Sequence, residues 1–491
     1  MSNYKAGEFQ TEAIHIVNQE GDTLDISGSV ANFRLYESIH KKFVTGDVSI
    51  IDGLNLLKNF RFTGQEFIRI SIRQKEGAGD DGANEFAINK DSINKTFRIF
   101  KATSVERIKD AVQTYQLKIC DPSLFSARRT RLSKVLTGSY SDMLGEVMLN
   151  HCHVKKEEID NWEASVPPNQ QFIVPNWNIS KFIDYVCMNA NIGPTASYRN
   201  GMFFYQTLNG GFRFRSVDTM FGEEFPISFS YLPLSSESTE NIHINAPGGL
   251  NSQIQGITRP QMFDSLKGTM GGAYASSAKV YDPIRKLEED INYDMEETFA
   301  RSKLHVSGYP MTRTSKMLQN NQERMLSTNN MQDKNVSPTV NEIGVDLPPN
   351  KSNTAVVVYD YTTNHDFDDS KDISTNSPFS GTTFKTNGLL ERRALLEIFQ
   401  QHRITVTIPL RTDLSVGTVI DLNIPEPELY DDSSSPKDKI NDHRYLIINL
   451  CVNANPIQRS GTLDLECVKE SYAKDISKAT PLADASRGEE V

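Results

Sequence analysis

The sequence predicts an α+β fold dominated by strands: two related β-barrel domains, an interrupting small α/β domain and peripheral insertions. Three observations lead there. The two ends of the 491-residue chain carry the same strand pattern about 350 residues apart, helical spacing is confined to short stretches between them, and turn dipeptides mark hairpins in the middle. At the first end, Gly64-Gln-Glu-Phe-Ile-Arg-Ile-Ser-Ile72 alternates after a glycine. Thr96-Phe-Arg-Ile-Phe100 and Thr114-Tyr-Gln-Leu-Lys-Ile-Cys120 follow it. At the second end, Gly417-Thr-Val-Ile-Asp-Leu-Asn-Ile424 precedes His443-Arg-Tyr-Leu-Ile-Ile-Asn-Leu450 and Gly461-Thr-Leu-Asp-Leu-Glu-Cys467. Period-2 alternation marks strands with one buried face, and its recurrence implies one module used twice. Three copies of such a chain supply six similar units, enough for a ring.

Taken in order, residues 1–122 read as the first barrel, with Phe33–Ile39 and Val44–Ile51 ahead of the Gly64 strand. Residues 123–229 form the small mixed domain. In Ser141–Asn150, apolar residues at 143, 144, 147 and 148 share one helical face behind a serine. A second helix is expected from Ile179 to Ala190, capped by Asn178 or Ser180 and ended by Gly193. Asn200-Gly201 and Asn209-Gly-Gly211 then flank the strands Ala196–Tyr198, Met202–Tyr205 and Phe212–Arg215. Residues 230–300 are a mixed segment that contributes to the second barrel and the periphery, with a short helix near Gln261–Lys267 and strands at Ala275–Tyr281 and Leu287–Asp294. Residues 301–386 read as a polar insertion of long loops. Residues 387–473 give a helix at Leu389–Phe399, the strand Arg403–Pro409 and the second barrel, and 474–491 a polar tail.

Composition narrows the function. A net charge of −11 and a pI near 5.4 argue against gripping nucleic-acid phosphates, which needs a basic face. The five cysteines, 120, 152, 187, 451 and 467, are scattered in apolar stretches and read as buried free thiols of a chain made in a reducing compartment. No signal peptide and no apolar run of membrane-spanning length is seen.

No motif argues strongly for chemistry, and paired acids from distant positions stay open. Gly77-Ala-Gly-Asp-Asp-Gly82 matches a dinucleotide fingerprint, yet it leads towards a strand and places two aspartates where phosphate would lie, so it reads as a hairpin loop. His151-Cys-His153 lacks a second ligand pair and reads as a helix end. Asp366, Asp368, Asp369 and Asp372 suggest a calcium loop, but Ser377 stands where an EF-hand needs glutamate. Glu223-Glu224 and Glu288-Glu289-Asp290 are adjacent acids that point apart rather than flank a bond. The aromatic Met202-Phe-Phe-Tyr205 reads as core. Neither a nucleophile elbow, a zinc-protease motif nor a P-loop is present. No cofactor, metal or catalytic residue is expected.

Several stretches resemble the baseplate hub proteins of T-even-type contractile bacteriophages and the related N-terminal modules of injection-system spikes. They are Phe43–Gly53 with Asn59–Glu66, Tyr198–Tyr205 with Gly211–Ser216, Phe263–Gly268 with Ala273–Ser276 and Tyr281-Asp282, and Glu391–Ala394 with Ile404–Pro409 and Asp413–Gly417. The resemblance covers most of the chain outside 300–385. It implies a homotrimer in the virion tail, synthesised in the host bacterial cytoplasm. Two barrel tube domains per subunit would form a pseudo-sixfold ring between a threefold central spike and a sixfold tail tube, with a channel for DNA. The implied partners are further copies of itself, a separate spike protein, the first tail-tube ring, other baseplate proteins and, as a further candidate, the tape-measure protein. Three chains would carry about −33, three times the charge of one, and part of that is expected to line the bore so that DNA does not stick. Asp421, Asp464 and Glu466 are the candidate bore-lining acids. Competing classes are a receptor- or glycan-binding tail protein and a tail-associated cell-wall hydrolase.

Overall fold

A computed structural model describes residues 6–60, 62–74, 92–109, 112–166, 170–193, 198, 200–222, 227–231, 252–261, 264–282, 287–299, 355–359, 380–424 and 443–471. The Gly77–Gly82 loop, the Asp366–Asp372 acids, Glu223-Glu224 and the tail lie outside them.

The first region is built from β1 (Phe9–Val17), β2 (Thr23–Asp25), β3 (Val30–Ser38), β4 (Thr45–Asp52), the short α1 (Leu56–Asn59), β5 (Phe67–Gln74), β6 (Ile93–Lys109) and β7 (Val112–Cys120). Then α2 (Pro122–Arg129), β8 (Arg131–Leu132), β9 (Val135–Gly138), α3 (Tyr140–His151), the strands β10 (Ile159–Trp162), β11 (Gln170–Ile173) and β12 (Trp177–Asn178), α4 (Ile179–Asn189), β13 (Met202–Gln206), β14 (Phe212–Ser216) and α5 (Val217–Gly222) make the small mixed region. The remainder comprises β15 (Ile227–Ser230), β16 (Gly256–Gln261), α6 (Ser265–Gly271), β17 (Ala275–Asp282), β18 (Leu287–Asp294), α7 (Met295–Phe299), β19 (Ala355–Tyr359), α8 (Ser380–Gln401), β20 (Arg403–Pro409), β21 (Val419–Asn423), β22 (His443–Asn455) and β23 (Ser460–Val468).

The β-dominated architecture is as the sequence predicts, and the repeat is visible in the topology. In the first region the strands run in the order β3-β4-β7-β6-β5-β1; in the second, β16-β20-β23-β22-β21-β15. The two lists match strand for strand in chain order. Every neighbouring pair is antiparallel in both, except that β1·β5 is antiparallel and β15·β21 parallel. Even a local irregularity repeats. A β-bulge, one extra residue on one strand, skips Phe100 on β6 against β7 and Ile448 on β22 against β23, in each case after two paired residues. Ile68 and Ile420 then occupy equivalent registers and both are fully buried.

The repeats are not separate bodies. β22 pairs antiparallel with β3, Asn449 to Ala454 against Ser38 to Phe33, so both belong to one 13-stranded sheet. One apolar cluster runs through it, from Phe9, Phe33 and Ile68 to Ile420, Leu450 and Leu465. The second repeat curls closed where Ser230 bridges Gln253, and the Ile254 N–H donates to the Ser230 carbonyl at 3.0 Å. The first is completed by the tip of β22–β23, where Glu8 bridges Ser460 and the Phe9 N–H reaches the Arg459 carbonyl at 3.1 Å.

A second apolar cluster belongs to the small region. It includes Met143, Leu144, Val147 and Met148 of α3, Phe182, Ile183 and Val186 of α4, and Phe204, Phe212 and Phe214 of the β13–β14 hairpin. Ser139 and Asp142 form a capping box on α3, and Asn178, one of the two expected caps, holds the Lys181 N–H at 2.8 Å to start α4. β13 is buried along its whole length, so Met202–Tyr205 is core, as expected.

Several boundaries need correction. The expected helix at Gln261–Lys267 starts at Ser265, behind the Asp264 cap, because Gln261 is still strand. The helix expected at Leu389 begins at Ser380. Tyr198 is not in a strand. Within the expected loops of 301–386, Ala355-Val-Val-Val-Tyr359 is a strand parallel to β17, the β-branched run prevailing over its polar surroundings. The two strand-terminal cysteines are also one register apart: when the repeats are superposed by their pairing, Cys120 is the equivalent of Val468, and Cys467 of Ile119.

Candidate functional site

The large sheet has one face on the apolar core and one turned away from it. Alternation puts Thr405 and Thr407 of β20, Asp464 and Glu466 of β23, Asn449 and Cys451 of β22, Arg34 and Tyr36 of β3, Thr45 and Asp47 of β4, and Gln116 and Lys118 of β7 on the second face. The strip therefore crosses both repeats without a break at β3·β22. That continuity, rather than any cleft, is the principal feature of this face.

Its acids have local partners, two of them cations. The Arg403 guanidinium meets Glu466 at 2.6 Å, Asn449 donates to the same carboxylate, and Thr407 donates to Asp464 at 2.7 Å. On the other repeat, Lys118 and the Tyr36 hydroxyl reach Asp47 at 2.6 and 2.9 Å. Burial, with the Asp47 carboxylate beside it, pushes the Tyr36 phenol up to about 12. Asp421 lies level with Arg444, and the Ser228 hydroxyl donates to it at 3.4 Å. All three candidate acids, Asp421, Asp464 and Glu466, thus share this face, together with Arg34, Lys118 and Arg403. The face carries both signs.

Below the strip, Glu37 joins three parts of the chain. It is fully buried at the end of β3, and its two carboxylate oxygens accept the N–H groups of Leu208 in the small region and of Val416 before β21, the latter at 3.1 Å. Burial raises its pKa, opposed by the two N–H bonds and by Lys95 and Arg213. Beside it Lys95 donates to the Thr207 carbonyl at 3.2 Å and lies 3.6 Å from Asp121, which also accepts from Gln206 at 2.5 Å. Burial lowers the Lys95 pKa against the pull of Asp121 and Glu37. A carboxylate so satisfied holds elements in register and has no spare oxygen for a substrate.

Candidate ligands do not converge. Cys152 is the buried C-cap of α3 between His151 and His153, and among the described residues no group of three His, Cys, Asp or Glu side chains is placed to hold a metal ion. Glu288, Glu289 and Asp290 lie on β18. All five cysteines are free, four buried and Cys451 half-buried. No described helix is long and apolar enough to cross a membrane.

Sequence reading missed Glu37, Lys95 and the junction itself. The available signal was length. β6 has 17 residues and β22 has 13, both running past their expected ends at Phe100 and Leu450, and the excess of β22 supplies most of the junction.

No family model and no curated protein matches the chain. Solved structures do resemble it at low identity. A tail protein from Neisseria meningitidis MC58 has a TM-score of 0.49 at 9% identity, with 94% of this chain and 96% of that one covered. A 43 kDa tail protein of prophage MuSo2 from Shewanella oneidensis has 0.47 at 8%, covering 93% and 98%. An E. coli component of the type VI secretion system, similar in structure to the T4 bacteriophage tail proteins gp27 and gp5, has 0.38 at 8%, covering 90% and 74%.

Proposed function

We propose that the chain is the structural hub of a contractile phage tail baseplate. Three copies form a pseudo-sixfold ring that joins a threefold central spike to the sixfold tail tube and leaves a channel for DNA. One observation carries this reading: a six-strand order occurs twice in one chain, and the two copies are already joined by paired strands at β3·β22. A chain that presents nearly the same module twice lets a threefold assembly offer six near-equivalent positions, while differences between repeats keep the threefold contacts distinct. The resemblance of the sequence stretches to tail hubs supplies the location in the virion tail and the partners: a separate spike, the first tube ring and neighbouring baseplate proteins.

On this reading Asp421, Asp464 and Glu466 face the channel as members of a mixed-charge strip. DNA then slides past a face on which Glu466 and Asp47 hold Arg403 and Lys118 in ion pairs, which reduces the positive charge available to retain phosphates. The role is mechanical rather than catalytic. Sedimentation of the purified protein, alone and with its candidate spike, tests it. The expected particle has three times the 55.2 kDa chain mass and joins the spike; a persistent monomer that never joins one contradicts it.

A further inference from the structure

The β3·β22 junction is a template for a contact the single chain leaves unmade. Each repeat owns a long strand, β22 in one and β6 in the other, and a receiving edge, β3 in one and β16 in the other. β22 uses its outer half to pair with β3. β6 pairs with β5 only over Ile93–Arg98, and among the described residues no strand lies on that side of Lys101–Lys109. β16 likewise ends the sheet beyond β20. The burial differs accordingly. Val452 and Ala454 of β22 are fully covered, whereas Phe100, Val105 and Ile108 of β6 are 45%, 54% and 60% exposed. An uncovered edge with apolar side chains is one that native sheets normally pair or protect.

We infer that β6 of one copy pairs antiparallel with β16 of the next copy, in the register that β22·β3 sets within the chain. Two irregularities carry this furthest. β6 holds one extra residue against β7 between Thr103 and Glu106, and β16 holds one extra residue against β20 between Thr258 and Gln261. Neither β22 nor β3 has one within the junction. Transferring the junction register places Thr103 opposite Gln261, Glu106 opposite Thr258 and Arg107 opposite Ile257. The two extra residues then face each other and cancel, so the pairing stays continuous through Ser104–Pro260 and Val105–Arg259. Pro260, which cannot donate to a ladder, falls inside this bulge, opposite Ser104, whose φ of 53° marks the bulge on β6.

The inference rests on the ring reading but names its contact. Directly opposed residues of antiparallel strands have Cα atoms about 4.5–5.5 Å apart, within disulfide range. Glu106 and Thr258 are both exposed. Oxidation of the full-length Glu106→Cys/Thr258→Cys protein should give inter-chain species on a non-reducing gel. The single variants, the unsubstituted protein and the off-register Glu106→Cys/Gly256→Cys protein should not. A protein that sediments as a trimer without this cross-link overturns the contact and leaves the ring. Equal cross-linking off register overturns it too, and a monomer without cross-link overturns both. Val105→Asp/Ile108→Asp, at positions exposed in the single chain, should weaken self-association about tenfold or more with the unfolding midpoint unchanged. Unaltered association contradicts the inference.

Discussion

Glu37 sets one carboxylate oxygen on the Leu208 N–H and the other on the Val416 N–H, so no isosteric replacement satisfies both. Glu37→Gln would bring an amide N–H₂ against one of them. Leaving a buried donor unmet costs about 1–3 kcal/mol, readable as a lower midpoint in urea. Burial raises the Glu37 pKa, so the folded state holds its proton to higher pH than the unfolded chain. Its contribution is therefore complete below the ordinary carboxyl pKa of about 4.3 and declines as pH rises towards the folded value. Comparing thermal midpoints across that window should show a fall in the unsubstituted protein that Glu37→Gln lacks. The thiols give a separate check. Burial pushes Cys120 and Cys152 up to about 12 and Cys187 and Cys451 to about 11, and raises Cys467 as well. A thiol reagent at pH 8 should label Cys451 at most in the native protein and all five after unfolding. The sequence shows the cysteines as buried because their neighbours are apolar. It hides Glu37, because a burying environment assembled from Leu208 and Val416 leaves no mark within a strand.

Among the elements, β5 and β21 were legible, since alternation after a glycine needs no partner to be recognised. Their glycines both adopt positive φ, 84° at Gly64 and 79° at Gly417, and at Gly417 a Cβ would also strike the Tyr205 hydroxyl. The equivalence of the two repeats is testable at Ile68 and Ile420. Each is fully buried at the same register, so Ile68→Ala and Ile420→Ala should each cost about 2–5 kcal/mol in denaturant unfolding. A large cost at one and none at the other would argue against kindred sheets. Alignment of the cysteines misleads because a one-residue offset reverses the face of a strand, which only pairing partners reveal. α8 shows a different limit. Its Arg392 donates to the carbonyls of Asn200 and Met202 at 2.8 and 2.6 Å and lies over Phe203, fastening the helix to the small region. Arg392→Ala should destabilise by about 2–3 kcal/mol, measurable by thermal unfolding. Nothing local in Glu391-Arg-Arg-Ala394 distinguishes that arginine from Arg393.

At the scale of the molecule, duplication was visible in the sequence and its joining was not. Strand order, closure and the β3·β22 ladder connect residues some 400 positions apart, and period-2 patterning carries no information on partners. The consequence is mechanical. A sheet continuous across both repeats joins them through a row of backbone hydrogen bonds rather than a flexible linker, which on the proposed reading lets a ring carry load between a spike and a tube. On the proposed reading, the mixed charges of the outer strip belong to a surface that DNA passes without binding. The most direct measurement is an electron-microscopy reconstruction of the protein assembled with its spike. The account predicts three chains forming six barrel-like densities around one channel, with β6 of each chain laid along β16 of the next. Six chains contributing one barrel each, or three chains meeting through the small mixed region with the β6 edge left bare, would contradict it.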